Sequence, residues 1–368
     1  MSVPGPIRVW LEPGYDGGQV GAWMLDLPGC FVAGRDTASA LAHVPSAVGA
    51  FGAWLADHGE AIAVPETDQR RVVEQVGASI ADGTELNATF GADRRPVAGH
   101  EVEAVVRRLV YARTDLLELL ERVAAWEAAH GPLPGGRSVP ELVRHVAAAE
   151  MWLAGRLDRG ARFEGPLGAP AATILPIVEG WAVERLSAAL ADDTAREVVD
   201  DKGESWTLAK VLRRLVYHPL DHLGELDRRL ARAEGAVDRL VIRKDVLVET
   251  GRLVELFRAV GWYRRVADPG RLARMLEGST DMVSAWDGPQ LVGFARAISD
   301  DAFNGYIGSV AVHPRWQGKG LGQRLIRALL ENNDQVRFIL TAVEGLQGFY
   351  AGLGFEPDPQ AMVRRRLR

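Results

Sequence analysis

The clearest candidate for a ligand-binding site is a glycine-rich turn, HPRWQGKGLGQ, between a strand-like run and a helical pattern. Its glycines, Gly318, Gly320 and Gly322, let backbone amides approach a ligand without interference from a Cβ atom. They also stand at the predicted start of a helix, where unpaired N–H groups and the helix dipole favour an anion. The turn predicts a phosphate-binding site, although many such turns merely connect a strand to a helix.

The spacing of this turn excludes two common nucleotide-binding motifs. A P-loop requires Gly-Lys followed by Ser or Thr, whereas Lys319 is followed by Gly320. The glycines also lack the G-x-G-x-x-G order of a dinucleotide fingerprint. The sequence therefore indicates a phosphate-containing ligand of another kind.

Three histidines in the middle of the chain form a second candidate site. His218 and His222 are four residues apart in one helical pattern, so their side chains project from the same face of the predicted helix. His145 lies in the middle of another helical pattern. Three converging imidazoles could bind Zn²⁺ or Ni²⁺, and partly exposed histidines at a helix seam are the alternative. Pro219 removes a backbone donor beside this site and is expected to kink the helix.

The spacing of apolar residues divides the chain into three segments that must position these residues. The sequence therefore predicts a multidomain α+β protein. Residues 1–94 combine a strand hairpin, a helical pattern and a strand-like piece at 75–90, as in a small α+β sandwich. Residues 95–236 have helical spacing almost throughout and predict an antiparallel four-helix bundle. Residues 237–368 alternate strands with helices and close with strands after LQGFYAGLG.

Composition and charge narrow the class of protein further. A chain of 368 residues is too long for one ordinary core, and its 47% hydrophobic content is that of a globular protein. The net charge of −6 argues against a nucleic-acid partner, which would need a clustered basic face. The basic run Arg364, Arg365 and Arg366 is short and is interpreted as a solvated strand end.

The expected location is the cytoplasm. No secretory signal is readable at the N-terminus, and no window approaches the roughly 20 apolar residues of a membrane span. The single cysteine, Cys30, cannot form an intrachain disulfide, which fits a reducing compartment.

The last third of the chain, from Asp238 to Arg368, resembles the GNAT N-acetyltransferases, which have an α/β fold with a mixed sheet. Residues 317–322 fit the family's pyrophosphate-binding pattern, residues 310–314 look like its fourth strand, and residues 348–355 look like its late helix and strand. The resemblance implies that acetyl coenzyme A is the donor. The implied cofactor-binding residues are Val310, Ala311, Val312, Gln317, Gly318, Lys319, Gly320, Leu321 and Gly322.

The resemblance also implies direct transfer of the acetyl group to a primary amine on a small molecule or peptide. Tyr350 occupies the position at which many family members have a tyrosine that protonates the leaving thiolate. The alternative is that Tyr350 packs as an aromatic ring and only orders the thiol. No single base stands out: Asp300, Asp301 and a water-mediated path remain open, and His313 is expected to shape the turn. Direct transfer needs no covalent nucleophile, so Cys30 is not expected to be catalytic.

Two further resemblances concern the rest of the chain. His145, His218 and His222, in their sequence contexts, look like the metal-binding triad of the DinB-like four-helix bundles, which implies a divalent metal such as Zn²⁺ or Ni²⁺. Residues 7–60, with the segment 26–31 followed by a helical pattern, look like the HicB-like sandwich, which implies an interaction or sensing module.

These resemblances leave three hypotheses for the whole chain. The first is an acetyltransferase fused to a bundle that either binds a metal or serves as a scaffold. The second is a metal-dependent thiol transferase with a vestigial GNAT domain, and the third is a non-catalytic interaction module. Bundles and GNAT domains both often dimerise, so a homodimer is also open.

Overall fold

The computed structural model describes residues 5–81, 83–158, 161–192, 194, 196–343 and 345–364. Arg365 and Arg366 of the predicted solvated run therefore lie outside the described residues. Within them, no helix combines the length and the apolar character needed to cross a bilayer.

The N-terminal segment is a four-stranded sheet with one long helix packed against it. Its elements are β1 (Ile7–Gly14), the single turn α1 (Tyr15–Gly18), β2 (Gln19–Trp23), β3 (Phe31–Gly34), α2 (Thr37–Asp57) and β4 (Arg70–Gln75). The strand order is β3-β2-β1-β4, and only β4 runs parallel to its neighbour. Asp36 begins α2 by accepting a hydrogen bond from the Ser39 amide, and Ser39 Oγ accepts one from the Asp36 amide in return.

The position of β4 differs from the prediction of a strand at residues 75–90. The sheet uses Arg70–Gln75, which is charged and mostly exposed, so no apolar alternation marks it in the sequence. The later residues form only a small separate hairpin of β5 (Ser79–Ala81) and β6 (Thr84–Leu86).

The middle segment contains four long helices that pack around two apolar clusters. The elements are α3 (Gly99–His130), α4 (Val139–Ala154), α5 (Ala171–Ala191), the two-residue strands β7 (Val198–Val199) and β8 (Ser205–Trp206), and α6 (Leu208–Ala233). The helix α6 is a single element that contains Pro219. A buried guanidinium, Arg113, joins three of the helices by ion pairs to Glu150 on α4 and Glu179 on α5.

The C-terminal segment is a five-stranded mixed sheet with helices on both faces, as the resemblance implies. Its elements are β9 (Val241–Lys244), α7 (Thr250–Ala259), α8 (Tyr263–Val266), α9 (Pro269–Glu277), β10 (Asp281–Asp287), β11 (Gln290–Ser299), β12 (Asn304–Val312), α10 (Leu321–Leu330), β13 (Arg337–Leu340) and α11 (Gln347–Ala351). The strand order is β13-β12-β11-β10-β9, and only β12 and β13 are parallel. The helices α7 and α9 cover one face and α10 covers the other.

The closing strands predicted after α11 do not form in the described part of the chain, which ends at residue 364. Pro357 and Pro359 lie there and cannot donate to a strand ladder. Met362 and Val363 are 97% and 77% exposed, so they contribute nothing to the core. In the described structure β13 is therefore an edge strand of the sheet.

The N-terminal segment packs directly against the C-terminal one. A Cβ atom at Gly261, which follows α7, would lie 2.4 Å from Cβ of Pro45 on α2, so only glycine allows this approach. Arg315 forms an ion pair with Asp57 at the end of α2, and Arg35 donates a hydrogen bond to Gln347 at 2.8 Å. These contacts hold α2 beside the turn that precedes α10.

Candidate functional site

A gap opens in the C-terminal sheet between β12 and β13. The two strands pair only through residues 304–307 and 337–340. Beyond that point residues 308–312 remain paired with β11 on one side and have no strand on the other within the described structure. The open side of β12 therefore presents backbone groups with which an extended ligand can pair, as a further strand would.

A β-bulge lies at the start of this gap. Phe294 of β11 is paired with Ala311 of β12, and Arg296 with Gly308. Two residues of β12, Ser309 and Val310, therefore lie opposite the one β11 residue between Phe294 and Arg296. Ser309 has a φ of 56°, in the left-handed region that residues other than glycine seldom adopt. A bulge of this kind leaves one residue out of the ladder and turns its backbone groups. Backbone donors at the bulge are thus available to a ligand in the gap.

The glycine-rich turn follows directly from β12. His313 Nδ1 accepts a hydrogen bond from the Arg315 amide at 3.3 Å, in agreement with its expected role in shaping the turn. Gln317 Nε2 donates to the Val312 carbonyl at 2.8 Å, which ties the turn back to the strand. Gly318 and Gly320 have φ angles of 71° and 97°, which explains glycine at both positions.

The turn ends at the N-terminus of α10, which begins at Leu321 immediately after Gly320. Gly322 lies in the first turn of this helix, and a Cβ atom there would stand 3.3 Å from the ring of Phe349. The unpaired amides at this end of the helix therefore lie beside the gap along β12. An extended ligand that pairs with β12 can place an anionic group on these amides.

The helix α6 of the middle segment also contacts this turn, which the sequence did not indicate. Arg232 donates from Nε to the Gly318 carbonyl oxygen at 3.1 Å, although the two residues are 86 positions apart. Asp227 forms an ion pair with Lys319. A Cβ atom at Gly318 would lie 2.8 Å from Cδ of Arg228. The predicted cofactor residue Lys319 is thus already paired, and two arginines of α6 add positive charge beside the turn.

Tyr350, the predicted acid, lies half-buried on α11 among aromatic side chains. Its ring centroid is 4.9 Å from that of Phe349 and 5.9 Å from that of Phe355. Burial raises the pKa of the Tyr350 phenol, and the nearby Tyr306 on β12 raises it further. Tyr350 is therefore protonated at neutral pH, as an acid must be before it donates. The surroundings suit both predicted roles, the acid and the packing ring.

The structure weakens the case for Asp300 as the base. Its carboxylate accepts hydrogen bonds from the amides of Ala302, Phe303 and Asn304 at 2.7 to 3.0 Å. The Asn304 amide first, and then the others, lower the pKa of this carboxyl group. It therefore stabilises the hairpin loop and has little affinity for a proton.

Cys30 lies in the core of the N-terminal sheet and is 3% exposed. Burial raises the pKa of its thiol. A buried thiol in an apolar setting is inert, which agrees with the expectation that Cys30 is not catalytic.

The three histidines of the middle segment come together in the structure. Nε2 of His145 on α4 lies 3.2 Å from Nε2 of His218 on α6. His222 completes the group, and the ligand atoms of the three residues all lie within 4.8 Å of one another. Glu225 Oε2 stands 3.1 Å from Nδ1 of His222, and a carboxylate in this position orients a ligating imidazole.

The donor set fits a divalent metal such as zinc. Tetrahedral zinc with Zn–N bonds of about 2.0–2.1 Å places its nitrogen ligands roughly 3.3 Å apart, close to the spacing of His145 and His218. Burial lowers the pKa of both of these imidazoles, so they are neutral and able to bind metal. Nδ1 of His218 is buried and has no hydrogen-bond partner in the described structure. His145 also borders an open cleft, whose charged lining residues are Arg137, Glu141, Arg144 and Glu225.

Comparison with known proteins places the C-terminal segment in a family. The family model for the acetyltransferase (GNAT) domain matches residues 258–368. An uncharacterized N-acetyltransferase, ycf52, of Pyropia yezoensis is 33% identical over 132 residues, which cover 32% of this chain and 75% of that protein. A histone acetyltransferase, TAP1, of Glycine max is 34% identical over 144 residues, which cover 35% of this chain and 61% of that protein.

Among solved structures, a GNAT family acetyltransferase from Streptococcus pneumoniae is 27% identical, with a TM-score of 0.31. It is matched over 99% of its own length and 35% of this chain. The relatives thus correspond to about a third of the chain. The sheet gap, the glycine-rich turn and the match to ycf52 over most of its length agree: the chain belongs to the GNAT acetyltransferase family and is an N-acetyltransferase.

Proposed function

We propose that the C-terminal domain transfers an acetyl group directly from acetyl coenzyme A to a primary amine. The observation that supports this most strongly is the continuity between the open side of β12 and the glycine-rich turn. An extended arm beside residues 308–312 leads straight to the amides of residues 317–322. Coenzyme A has this form, with a pantetheine arm attached to a pyrophosphate.

In this arrangement the donor is held mainly by the backbone. The pantetheine amides pair with Val310, Ala311 and Val312, and the pyrophosphate accepts hydrogen bonds from the turn between Gln317 and Gly322. Arg228 and Arg232 of α6 add electrostatic attraction, because both lie against Gly318. The thioester then lies near the bulge at Ser309.

The reaction forms one C–N bond and breaks one C–S bond. The neutral amine attacks the thioester carbonyl, and a backbone amide at the bulge stabilises the oxyanion. The coenzyme A thiolate then leaves and takes a proton from Tyr350, while the amine nitrogen loses its proton to water. Asp300 takes no part in this proton path, because its Oδ1 already accepts hydrogen bonds from three backbone amides.

The test begins with titration calorimetry of acetyl coenzyme A into the full chain. We expect binding at one site per chain and a rise in melting temperature. A screen of amino acids, polyamines, aminoglycosides and peptide N-termini, with released coenzyme A as the readout, then identifies acceptors. Absence of acetyl coenzyme A binding would contradict the proposal.

We further propose that the histidine triad holds a divalent metal, zinc or nickel, beside the acetyltransferase domain. The observation that favours this is the convergence of the three imidazole nitrogens within 4.8 Å of one another. A bound metal would supply a Lewis acid able to bind and activate a small thiol. In the chain itself, Glu225 orients His222, and Arg137, Arg144 and Glu141 line the cleft beside His145 through which a small molecule would approach.

Elemental analysis of protein purified without chelator or histidine tag tests this second proposal. We expect about one metal per chain, and its loss in His145→Ala. The matched control is His130→Ala, which removes an exposed histidine at the end of α3 and should leave the metal content unchanged. Protein that contains no metal and takes up none on titration would contradict the proposal.

A further inference from the structure

A cavity of about 470 Å³ lies between the N-terminal segment and α6. Its walls come from α1, β3 and α2 on one side and from α6 on the other. Cavities of this size hold small organic molecules, and they occur preferentially where two segments of a protein meet. The residues of the histidine triad and of the glycine-rich turn do not line this cavity, so it is separate from both sites described above.

Aromatic rings line one end of the cavity. Phe31 lies between two tyrosines, with its ring centroid 5.0 Å from that of Tyr15 and 4.2 Å from that of Tyr217. The hydroxyl oxygens of Tyr15 and Tyr217 are 2.7 Å apart and share a hydrogen bond. Trp54 of α2 adds a fourth ring, whose indole N–H donates to Asp115 Oδ2 at 2.7 Å. The four rings are half-buried, so part of each remains accessible from the cavity.

The faces of these rings are not covered by cations of the protein. Within the described residues, no arginine or lysine stacks on Phe31, Tyr217 or Trp54. In contrast, the Arg213 guanidinium lies 4.3 Å from the ring centroid of Trp23, which packs against Phe31. An aromatic face attracts a cation through the ring quadrupole, and the attraction increases where water is partly excluded. The rings of the cavity therefore offer a place for a cationic group.

Two carboxylates add negative charge beside these rings. Asp221 lies about one helical turn after Tyr217 on α6, and Asp16 directly follows Tyr15. Burial raises the pKa of the Tyr15 phenol to about 12, and the charges of Asp221 and Asp16 act in the same direction, so both carboxylates lie near the phenol. Both aspartates are exposed, and among the described residues neither has an ion-pair partner. A cation at this end of the cavity would meet unpaired carboxylates as well as aromatic faces.

The positive residue of the lining, Arg228, lies away from this end. It follows Asp221 by seven residues, which is about 10.5 Å along the helix axis. Its side chain stands against Gly318 of the glycine-rich turn. Apolar side chains such as Ala47 and Leu220 line much of the remaining cavity. The cavity thus combines a negatively charged aromatic end with an apolar interior.

We propose that this cavity binds a small organic ammonium ion with an apolar body, held by Asp221 and by the rings of Phe31 and Tyr217. The ammonium group donates a charge-assisted hydrogen bond to the Asp221 carboxylate and lies against the aromatic faces. The apolar body fills the space lined by β3 and α2. The site is independent of the proposed acetyl transfer, whose donor lies along β12 and the glycine-rich turn.

The experiment titrates 2-phenylethylamine into the full chain by calorimetry at pH 7, without acetyl coenzyme A. We expect one site per chain and binding at least about tenfold tighter than that of 2-phenylethanol, which has the same body without the charge. Asp221→Asn should weaken binding of the amine about tenfold, and Phe31→Leu about fivefold, since each removes one attraction for the cation. The matched control, Asp287→Asn, removes an exposed aspartate at the end of β10 and should bind the amine normally.

The variant His145→Ala separates this site from the histidine triad, because an amine can also bind to a metal there. We expect it to bind 2-phenylethylamine as the wild-type chain does. Equal binding of the amine and the alcohol, or no binding of the amine, overturns the inference. Loss of amine binding in His145→Ala, or unchanged binding in Asp221→Asn, overturns it as well. The comparison of amine with alcohol uses the wild-type chain and is decisive even if a variant fails to fold.

Discussion

The two candidate sites of this chain are built from different parts of the polypeptide. The glycine-rich turn is made of consecutive residues and offers mainly backbone amides to a ligand. The histidine triad is made of side chains, and His145 and His218 are 73 positions apart. A site made of backbone depends on local conformation, whereas a site made of distant side chains depends on how helices pack.

The helix α6 nevertheless touches both sites. It supplies two histidines of the triad, His218 and His222. Nearer its C-terminal end it contacts the glycine-rich turn through Asp227, Arg228 and Arg232. At 1.5 Å per residue, His222 and Asp227 are about 7.5 Å apart along the helix axis. The two sites therefore share one helix, and variants of each site test whether they depend on each other.

Gly318→Val should have the largest effect on the backbone site. The φ of 71° is unfavourable for valine, and the new Cβ atom would meet Arg228 at 2.8 Å. We expect the Kd for acetyl coenzyme A to rise by at least about 100-fold, as measured by calorimetry, because the anion-binding amides are displaced. Gly288→Asn, in the hairpin turn with φ of 55°, is the control and should bind normally. Normal binding by Gly318→Val would show that the turn does not hold the donor.

Tyr350→Phe should lower kcat by about 30-fold with little change in KM, since general acid catalysis contributes at a step after binding. Burial raises the pKa of Tyr350, so the acid form persists to high pH and the wild-type kcat should not decline between pH 7 and 9. The phenylalanine variant keeps the packing with Phe349 and Phe355. Unchanged kcat in this variant would favour the packing role over the acid.

Asp227→Asn should have a smaller effect, in the opposite direction. The change removes a negative charge beside the turn and releases Lys319 to attract the pyrophosphate. We expect acetyl coenzyme A to bind about threefold more tightly at low salt, with the difference lost at high salt. Asp57→Asn, which breaks the exposed pair with Arg315, is the matched control. Weaker binding by Asp227→Asn would mean that the ion pair positions the turn.

His218→Ala should have the smallest effect on acetyl coenzyme A binding, a change in Kd of less than about twofold. His218 belongs to the triad near the middle of α6, whereas the glycine-rich turn contacts the last two turns of the helix, and the helix between them is continuous. Calorimetry with the variant and the wild-type chain measures this directly. A change of tenfold or more would show that the two sites are coupled through α6.

Local patterns in the sequence predicted the turn and the elements that form the candidate acetyltransferase site. Gly318 and Gly320 need positive φ angles, and such a requirement is visible in the sequence because few other residues satisfy it. The strands β10, β11 and β12 and the helix α10 are marked by short-range apolar patterns. In contrast, β4 is charged and exposed, and the predicted closing strands run into Pro357 and Pro359. Both errors arose where apolar periodicity was weak or interrupted.

The sequence by itself determined the family, the glycine-rich turn, the candidate acid Tyr350 and the identity of the three histidines. Only the tertiary structure decided that the histidines meet, that α6 contacts the turn, and that Arg296 lies beside Ser309 of the bulge. The physical reason is the range of the interactions. Backbone conformation is governed by neighbours in the chain, whereas these contacts join residues that lie tens of positions apart and are brought together by packing.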